Sequence, residues 1–273
     1  MLTLPILLGW FIYRQRQARW GLFFIGMVGF VLSQLFHIPF NWLITNQLQL
    51  LPTDTSILLN LFVVALFLGL SAGVFEEVTR YLIYRFWAKD ARTWGRGLMF
   101  GSGWGGVESM IVGVILLINA IVLAAMSQGV WLELVPAEQQ ALLAEQIQAM
   151  VTMPWYEAML GSLERVFAIC LHLSLSLMVM QVFTRGKLWW LWLAIGWHTA
   201  VNTTAVFVQI YWSNPYLTEA IIALFALVSL GIVFWLREPE PIEPEIEPLP
   251  VSDPVESVKI KATSESLDRS KFT

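Results

Sequence analysis

Glu76 and Glu77 stand side by side in Phe75-Glu76-Glu77-Val78-Thr79-Arg80-Tyr81, at the end of an apolar run, Ile57 to Val74, that is long enough to enter a bilayer. Ionisable groups are costly in such segments, and where they occur they face a bundle interior or a wet cavity. Other polar groups also lie within apolar sequence: Glu108, Glu164-Arg165 with His172, and His198 with Asn202. Two adjacent glutamates so placed can hold one proton between them and act as acid and base on a water. His172 and His198, as neutral imidazoles, could bind a divalent metal with a glutamate such as Glu108, in the His/Glu manner of hydrolytic zinc sites. Alternatively, His198 and Asn202 could donate hydrogen bonds to a developing oxyanion. Both schemes lead to peptide hydrolysis inside a membrane. Spacing does not choose between them, because no H-E-x-x-H is present.

The elements that must position these groups are transmembrane helices. The chain has 273 residues, 57% hydrophobic and 13% charged, against about 25% charged in an ordinary soluble domain. This predicts an all-α, polytopic bundle of about seven spans in the cell membrane. One cysteine, Cys170, excludes an internal disulfide framework. Met1 to Tyr13 is apolar but short of the roughly 20 residues that cross a hydrocarbon core, so it reads as a first helix tucked against the bundle or beginning short of a full span. The further spans are Trp20 to Leu43, Ile57 to Phe86, Leu98 to Met126, Leu160 to Phe183, Leu188 to Tyr211 and Tyr216 to Leu236. Pro39 is expected to break or kink the second near its end. An outer loop over 127–159 contains an amphipathic helix, Pro136 to Val151, with Leu143, Ile147, Met150 and Val151 on one stripe. Residues 1–236 thus form the bundle, and 237–273, rich in Pro and Glu at its start, reads as a disordered cytoplasmic tail.

Among the loops, 1–2, 3–4 and 5–6 and the start of the tail hold Lys and Arg while 2–3, 4–5 and 6–7 hold none, an alternation that places the N-terminus outside and the C-terminus in the cytoplasm. Counting rise from the nearest inner charge, Glu77 lies about 12 Å, His198 about 16 Å, Glu108 about 18 Å and His172 about 20 Å into the membrane. Four residues from four helices share one layer. Glu76 and Arg80, Trp104 and Glu108, and His198 and Asn202 are each i, i+4 pairs on one face.

Plainer roles stand beside these. Glu76 with Arg80 can be an intrahelical ion pair that fixes packing, Glu164-Arg165 reads as a structural pair, and His37 as a hydrogen-bonded core histidine. The run Gly101-Ser102-Gly103-Trp104-Gly105-Gly106 suits close helix approach, not phosphate binding.

Taken together, Phe-Glu-Glu-Val-Thr-Arg-Tyr-Leu-Ile-Tyr-Arg, the Gly101–Glu108 segment, Glu164-Arg165 with His172, and His198-Thr-Ala-Val-Asn202 resemble the YhfC family of intramembrane metalloproteases. The likeness runs from about Trp20 to Leu236. That family is related to the CAAX prenyl protease and bacteriocin-processing superfamily, and more distantly to the scaffold subunit of gamma-secretase. The resemblance implies a water activated by Glu76 or Glu77, Arg80 holding the glutamates, help from His172, His198 and Asn202, and a divalent metal, zinc by analogy. The expected partners are a membrane-embedded or membrane-tethered peptide and the lipid bilayer, not nucleic acid. In relatives the glycine-rich segment typically reads G-x-G-H-G-G-x-E, and Trp104 stands here at the histidine position. Indole donates one hydrogen bond but neither binds metal nor takes a proton. A catalytically impaired relative acting as a membrane scaffold is therefore the second reading, and a transporter with a carboxylate proton relay the third.

Overall fold

The computed structural model describes residues 1–239. Among them every regular element is helical: α1 (Thr3–Arg16), α2 (Trp20–Trp42), α3 (Leu58–Phe86), α4 (Trp94–Ser127), α5 (Gln140–Thr152), α6 (Trp155–Thr184), α7 (Trp189–Trp212) and α8 (Pro215–Trp235). Six of these, α2, α3, α4, α6, α7 and α8, are long and apolar enough to cross a membrane. The chain is a multi-pass membrane protein. At 14 residues, α1 rises about 21 Å, short of a hydrocarbon core of about 30 Å. It lies along α4, where Ser109 Oγ donates to the Met1 carbonyl at 3.2 Å.

Local chemistry sets the helix ends. Asn214 caps α8, its side chain accepting from Leu217 N at 3.1 Å with Pro215 in the first turn. Gln17 and Ser213 take left-handed conformations that stop α1 and α7. Pro39 does not break its helix, the first of the two outcomes expected of it: α2 runs through it to Trp42, and the chain then widens into a π-helical turn, Leu43–Gln47. A membrane helix tolerates proline where neighbouring turns re-satisfy the freed carbonyl. In the long loop α5 starts at Gln140, later than the stripe suggests. Leu143 is buried, Ile147 and Met150 are half-buried and Val151 is exposed. The tail expected to be disordered lies outside the described residues from position 240 onward.

At one end of the bundle the ends of α1, α3, α4, α6 and α8 come together. Arg19 pairs with Asp90, Arg92 stacks on Phe183, and Arg185 reaches Glu238 at 3.1 Å. The buried core includes Phe100, Trp104, Tyr84 and Leu175.

Candidate functional site

Close approach of the helices builds the site. Gly69 and Gly73 form a seam on α3 against α7, where a Cβ on Gly73 would stand 2.7 Å from Thr199 Oγ1 and 2.9 Å from the Ile195 carbonyl oxygen. That seam brings Glu77, one turn beyond Gly73, against His198. On α4, Gly101 and Gly105 face α6, with a Cβ on Gly105 falling 3.0 Å from His172 Cβ, while Gly103 sits against the Phe23 backbone of α2. The glycine run is a packing seam with two faces, and it wedges α4 between α2 and α6.

In the middle lies a fully buried ion pair. Arg80 Nη1 donates to Glu77 Oε2 at 2.6 Å, and both side chains are 0% exposed. His198 Nδ1 meets Glu77 Oε1 at 2.8 Å. Arg80 Nη2 lies 3.1 Å from His172 Nδ1. A guanidinium has no lone pair to offer, so Nδ1 of His172 accepts and its proton sits on Nε2. That Nε2 then donates to Glu108 Oε2 at 2.6 Å. Glu108 Oε1 accepts from Arg165 Nη1 at 2.8 Å, and Arg165 also pairs with Glu164. The two imidazoles stand edge to face, their centroids 5.6 Å apart.

Glu76 faces the other way. Its Oε2 accepts from Trp104 Nε1 at 3.0 Å and its Oε1 from Gln34 Nε2 at 3.2 Å. The indole also lies beneath Arg80, with the guanidinium carbon 4.4 Å from the ring centroid. Gln34 leads on to His37, whose Nε2 is 3.1 Å from Ser71 Oγ and 2.9 Å from Asn41 Nδ2. The network thus continues through α2.

The structure brings Glu76, Glu77, Arg80, Glu108, His172 and His198 into one connected cluster. Asn202, a turn beyond His198 on α7, stays apart from it, and among the described residues its side chain has no hydrogen-bond partner. It lines two cavities. One, of about 60 Å³, is shared with Glu164, Arg165 and Leu171; the other, of about 260 Å³, is shared with His37, Asn41 and Ala72. Through Glu164, Ala205 and Ile222 the smaller one adjoins a cavity of about 590 Å³ between α6, α7 and α8. Sequence reasoning read His37 as a hydrogen-bonded core histidine, which it is, but left out its partners Gln34 and Asn41. The signal was available: residues 34, 37 and 41 form one polar stripe at helical spacing in an apolar span.

The model of a family described as YhfC intramembrane metalloprotease matches residues 1–223. The Bacillus subtilis (strain 168) protein described as uncharacterized membrane protein YhfC is 38% identical over 171 residues, covering 61% of this chain and 65% of that protein. The match therefore spans just under two thirds of that relative's length. No solved structure matches.

The family's description implies a metal, and the donor set can be tested against one. Among the described residues no group of three or more His, Cys, Asp or Glu is disposed to hold a metal ion. His172 has both ring nitrogens engaged, His198 turns Nδ1 to a different carboxylate, and the space between Glu77 and His172 is filled by the Arg80 guanidinium. The expected trio His172, His198 and Glu108 is split across two carboxylates. As arranged, these residues do not fit a metal ion.

Proposed function

The chain belongs to the YhfC intramembrane metalloprotease family, and from that premise we propose that it is an endopeptidase that hydrolyses a membrane-embedded or membrane-tethered peptide with a water activated by Glu77 through His198. The observation that carries this is the Glu77–His198 pair. His198 Nδ1–H donates a hydrogen bond to the Glu77 carboxylate at 2.8 Å, which leaves the lone pair on Nε2, and among the described residues Nε2 has no hydrogen-bond partner. A carboxylate that orients an imidazole whose far nitrogen is free is a general-base unit.

The steps follow from those groups. Nε2 takes a proton from water as the water oxygen attacks the scissile carbonyl carbon, and Glu77 steadies the imidazolium. The carbonyl oxygen becomes an oxyanion, which the Asn202 amide, on the same helix face, meets with a hydrogen bond. When the intermediate collapses, the C–N bond breaks and His198 returns the proton to the departing nitrogen. The products are a new carboxylate and a new amine. Arg80 fixes Glu77, and His172, Glu108 and Arg165 hold Arg80 in turn. The cavities around Asn202 offer the substrate its approach.

The test is cleavage of fluorogenic transmembrane peptides in proteoliposomes. His198→Ala and Glu77→Gln should each lower the rate by about 10²–10⁴-fold, the usual contribution of a positioned base. Full cleavage by both variants would overturn the mechanism.

Trp104 favours a second reading, a scaffold that binds membrane helices without cutting them. Its indole occupies Glu76 and stacks on Arg80, and it transfers no proton. A Trp104→His variant that gains neither bound metal nor proteolysis, in a chain that cleaves nothing, would favour the scaffold.

A further inference from the structure

Away from the acid–imidazole cluster, at the basic end of the bundle, three helix termini converge on one indole. Trp94 opens α4 and is pinned by its Nε1 donating to the Val233 carbonyl of α8 at 2.9 Å. Arg16, at the end of α1, lies over this ring with its guanidinium carbon 4.8 Å from the centroid, and Arg237, just past α8, lies 5.6 Å from the same centroid. Among the described residues neither arginine has a carboxylate partner. Their neighbours do: Arg19 pairs with Asp90 and Arg185 with Glu238. Two cations that have no carboxylate partner among the described residues and are held around a single ring repel each other, and an anion between them would relieve that. Stacking on the indole leaves the in-plane N–H groups of each guanidinium free for such an anion.

Beside the two arginines runs a groove of about 390 Å³ with apolar walls from Leu8, Ile12, Leu98, Leu173 and Leu230, and Gln15 at its rim. Phe11 and Phe234 on its flanks are 55% and 62% exposed, so the groove opens sideways toward hydrocarbon. A flat apolar helix face needs no special occupant in a bilayer. A concave one with two guanidiniums stacked on Trp94 at its mouth, neither with a carboxylate partner among the described residues, matches an amphiphile with an anionic head. Basic pockets between transmembrane helices on the side where Lys and Arg gather are where anionic lipid headgroups bind.

We propose that this groove is a binding site for an anionic phospholipid, with the phosphate between Arg16 and Arg237 and an acyl chain along the apolar walls. The site is independent of the proteolytic reading and stands whether or not the chain cleaves peptides.

The experiment is native mass spectrometry of the full chain in neutral detergent, titrated with dioleoyl phosphatidylglycerol or dioleoyl phosphatidylcholine. The wild-type chain should retain one phosphatidylglycerol in preference to phosphatidylcholine. Arg16→Gln with Arg237→Gln should weaken phosphatidylglycerol retention about thirtyfold and leave phosphatidylcholine unchanged. Leu230→Trp, which fills the groove and keeps both charges, should weaken both lipids. Glycerol phosphate, which has the anion without the chains, should not displace bound lipid. An unchanged phosphatidylglycerol preference in the double arginine variant would overturn the proposal. So would displacement by glycerol phosphate as effective as by whole lipid, which would reduce the site to a phosphate site. Lipid binding that emerges only on truncation after Pro239 would assign the arginines to the acidic tail and overturn it as well.

Discussion

Arg80→Met isolates the physics of the cluster. The guanidinium donates to Glu77 at 2.6 Å and to His172 at 3.1 Å, and lies 4.4 Å over Trp104, with every one of these residues buried. Removing one partner of a buried ion pair costs about 3–5 kcal/mol, because the other charge is left without compensation. Loss of a desolvated cation–π contact adds about 2 kcal/mol, so the single variant should cost about 5–7 kcal/mol. With roughly 2–4 °C per kcal/mol for a chain of this size, the thermal midpoint should fall by on the order of 10–30 °C. Glu77→Gln alone should be nearly as costly, since it strands the arginine. The double variant Glu77→Gln, Arg80→Met removes both charges while the substituted amide can still face His198. It should be more stable than the sum of the singles by at least about 2 kcal/mol, a coupling typical of groups in one network. The assay is the midpoint read by tryptophan fluorescence in one detergent and again in nanodiscs. Strict additivity would show that the two charges do not support each other, and the account of the cluster would fail.

Gly73→Ala should destabilise the chain by about 1–3 kcal/mol, seen as a lower thermal midpoint, because the new methyl group meets α7 backbone that cannot give way. Asn202→Ala should lower kcat for a cleaved transmembrane peptide by about 10²–10³-fold with little change in KM, as for loss of an oxyanion donor; an effect on KM alone would reassign Asn202 to substrate binding. In the loop before α3, Asp54 Oδ1 accepts from Ser56 N at 3.0 Å and from Ser56 Oγ at 2.5 Å, and these bonds hold its carboxyl below the usual aspartate value. Since the folded value is the lower one, the turn's contribution is complete above the ordinary aspartate pKa and is lost as pH falls through the folded value. Protection of the Ser56 amide, measured by hydrogen exchange against its intrinsic rate, should therefore persist to lower pH than an unperturbed carboxyl would allow, and Asp54→Asn should flatten that pH dependence.

Much of the architecture was legible because a membrane imposes few rules. Apolar length marks α2, α3, α4, α6, α7 and α8 to within a few residues, and α1 reads as short for the same reason. Pro39 does not end its helix, because a proline's local cost is set by neighbouring helices that the sequence does not display. For the site, rise per residue gave depth, and depth placed Glu77, Glu108, His172 and His198 in one layer. Depth does not say which carboxylate each imidazole faces. His172 turns to Glu108 and His198 to Glu77 because Gly105 and Gly73 set how closely α4 meets α6 and α3 meets α7. Trp104 read as a lost histidine, whereas in the structure it is a donor to Glu76 and a platform for Arg80. That role needs α3 in place against α4 before it can be seen.

Arg80 also decides how the family's metal chemistry bears on this chain. A divalent ion at Glu77 and His172 would have to displace a guanidinium already bonded to both, at the cost of several kcal/mol that attends breaking a buried pair. A complete zinc site could meet that cost, since structural sites release about 10–16 kcal/mol, but that figure belongs to three or four converging ligands. Here His198 and His172 face separate carboxylates, and Trp104 offers no ligand. The competition is measurable by repeating the Glu77/Arg80 double-variant cycle with a stoichiometric excess of zinc. A coupling energy unchanged by zinc is the expected result, because the guanidinium keeps the carboxylate. If the coupling collapses toward zero while the wild-type chain takes up one equivalent of metal, the ion and the arginine exchange at one site, and the cluster described here is the resting form of a metal centre.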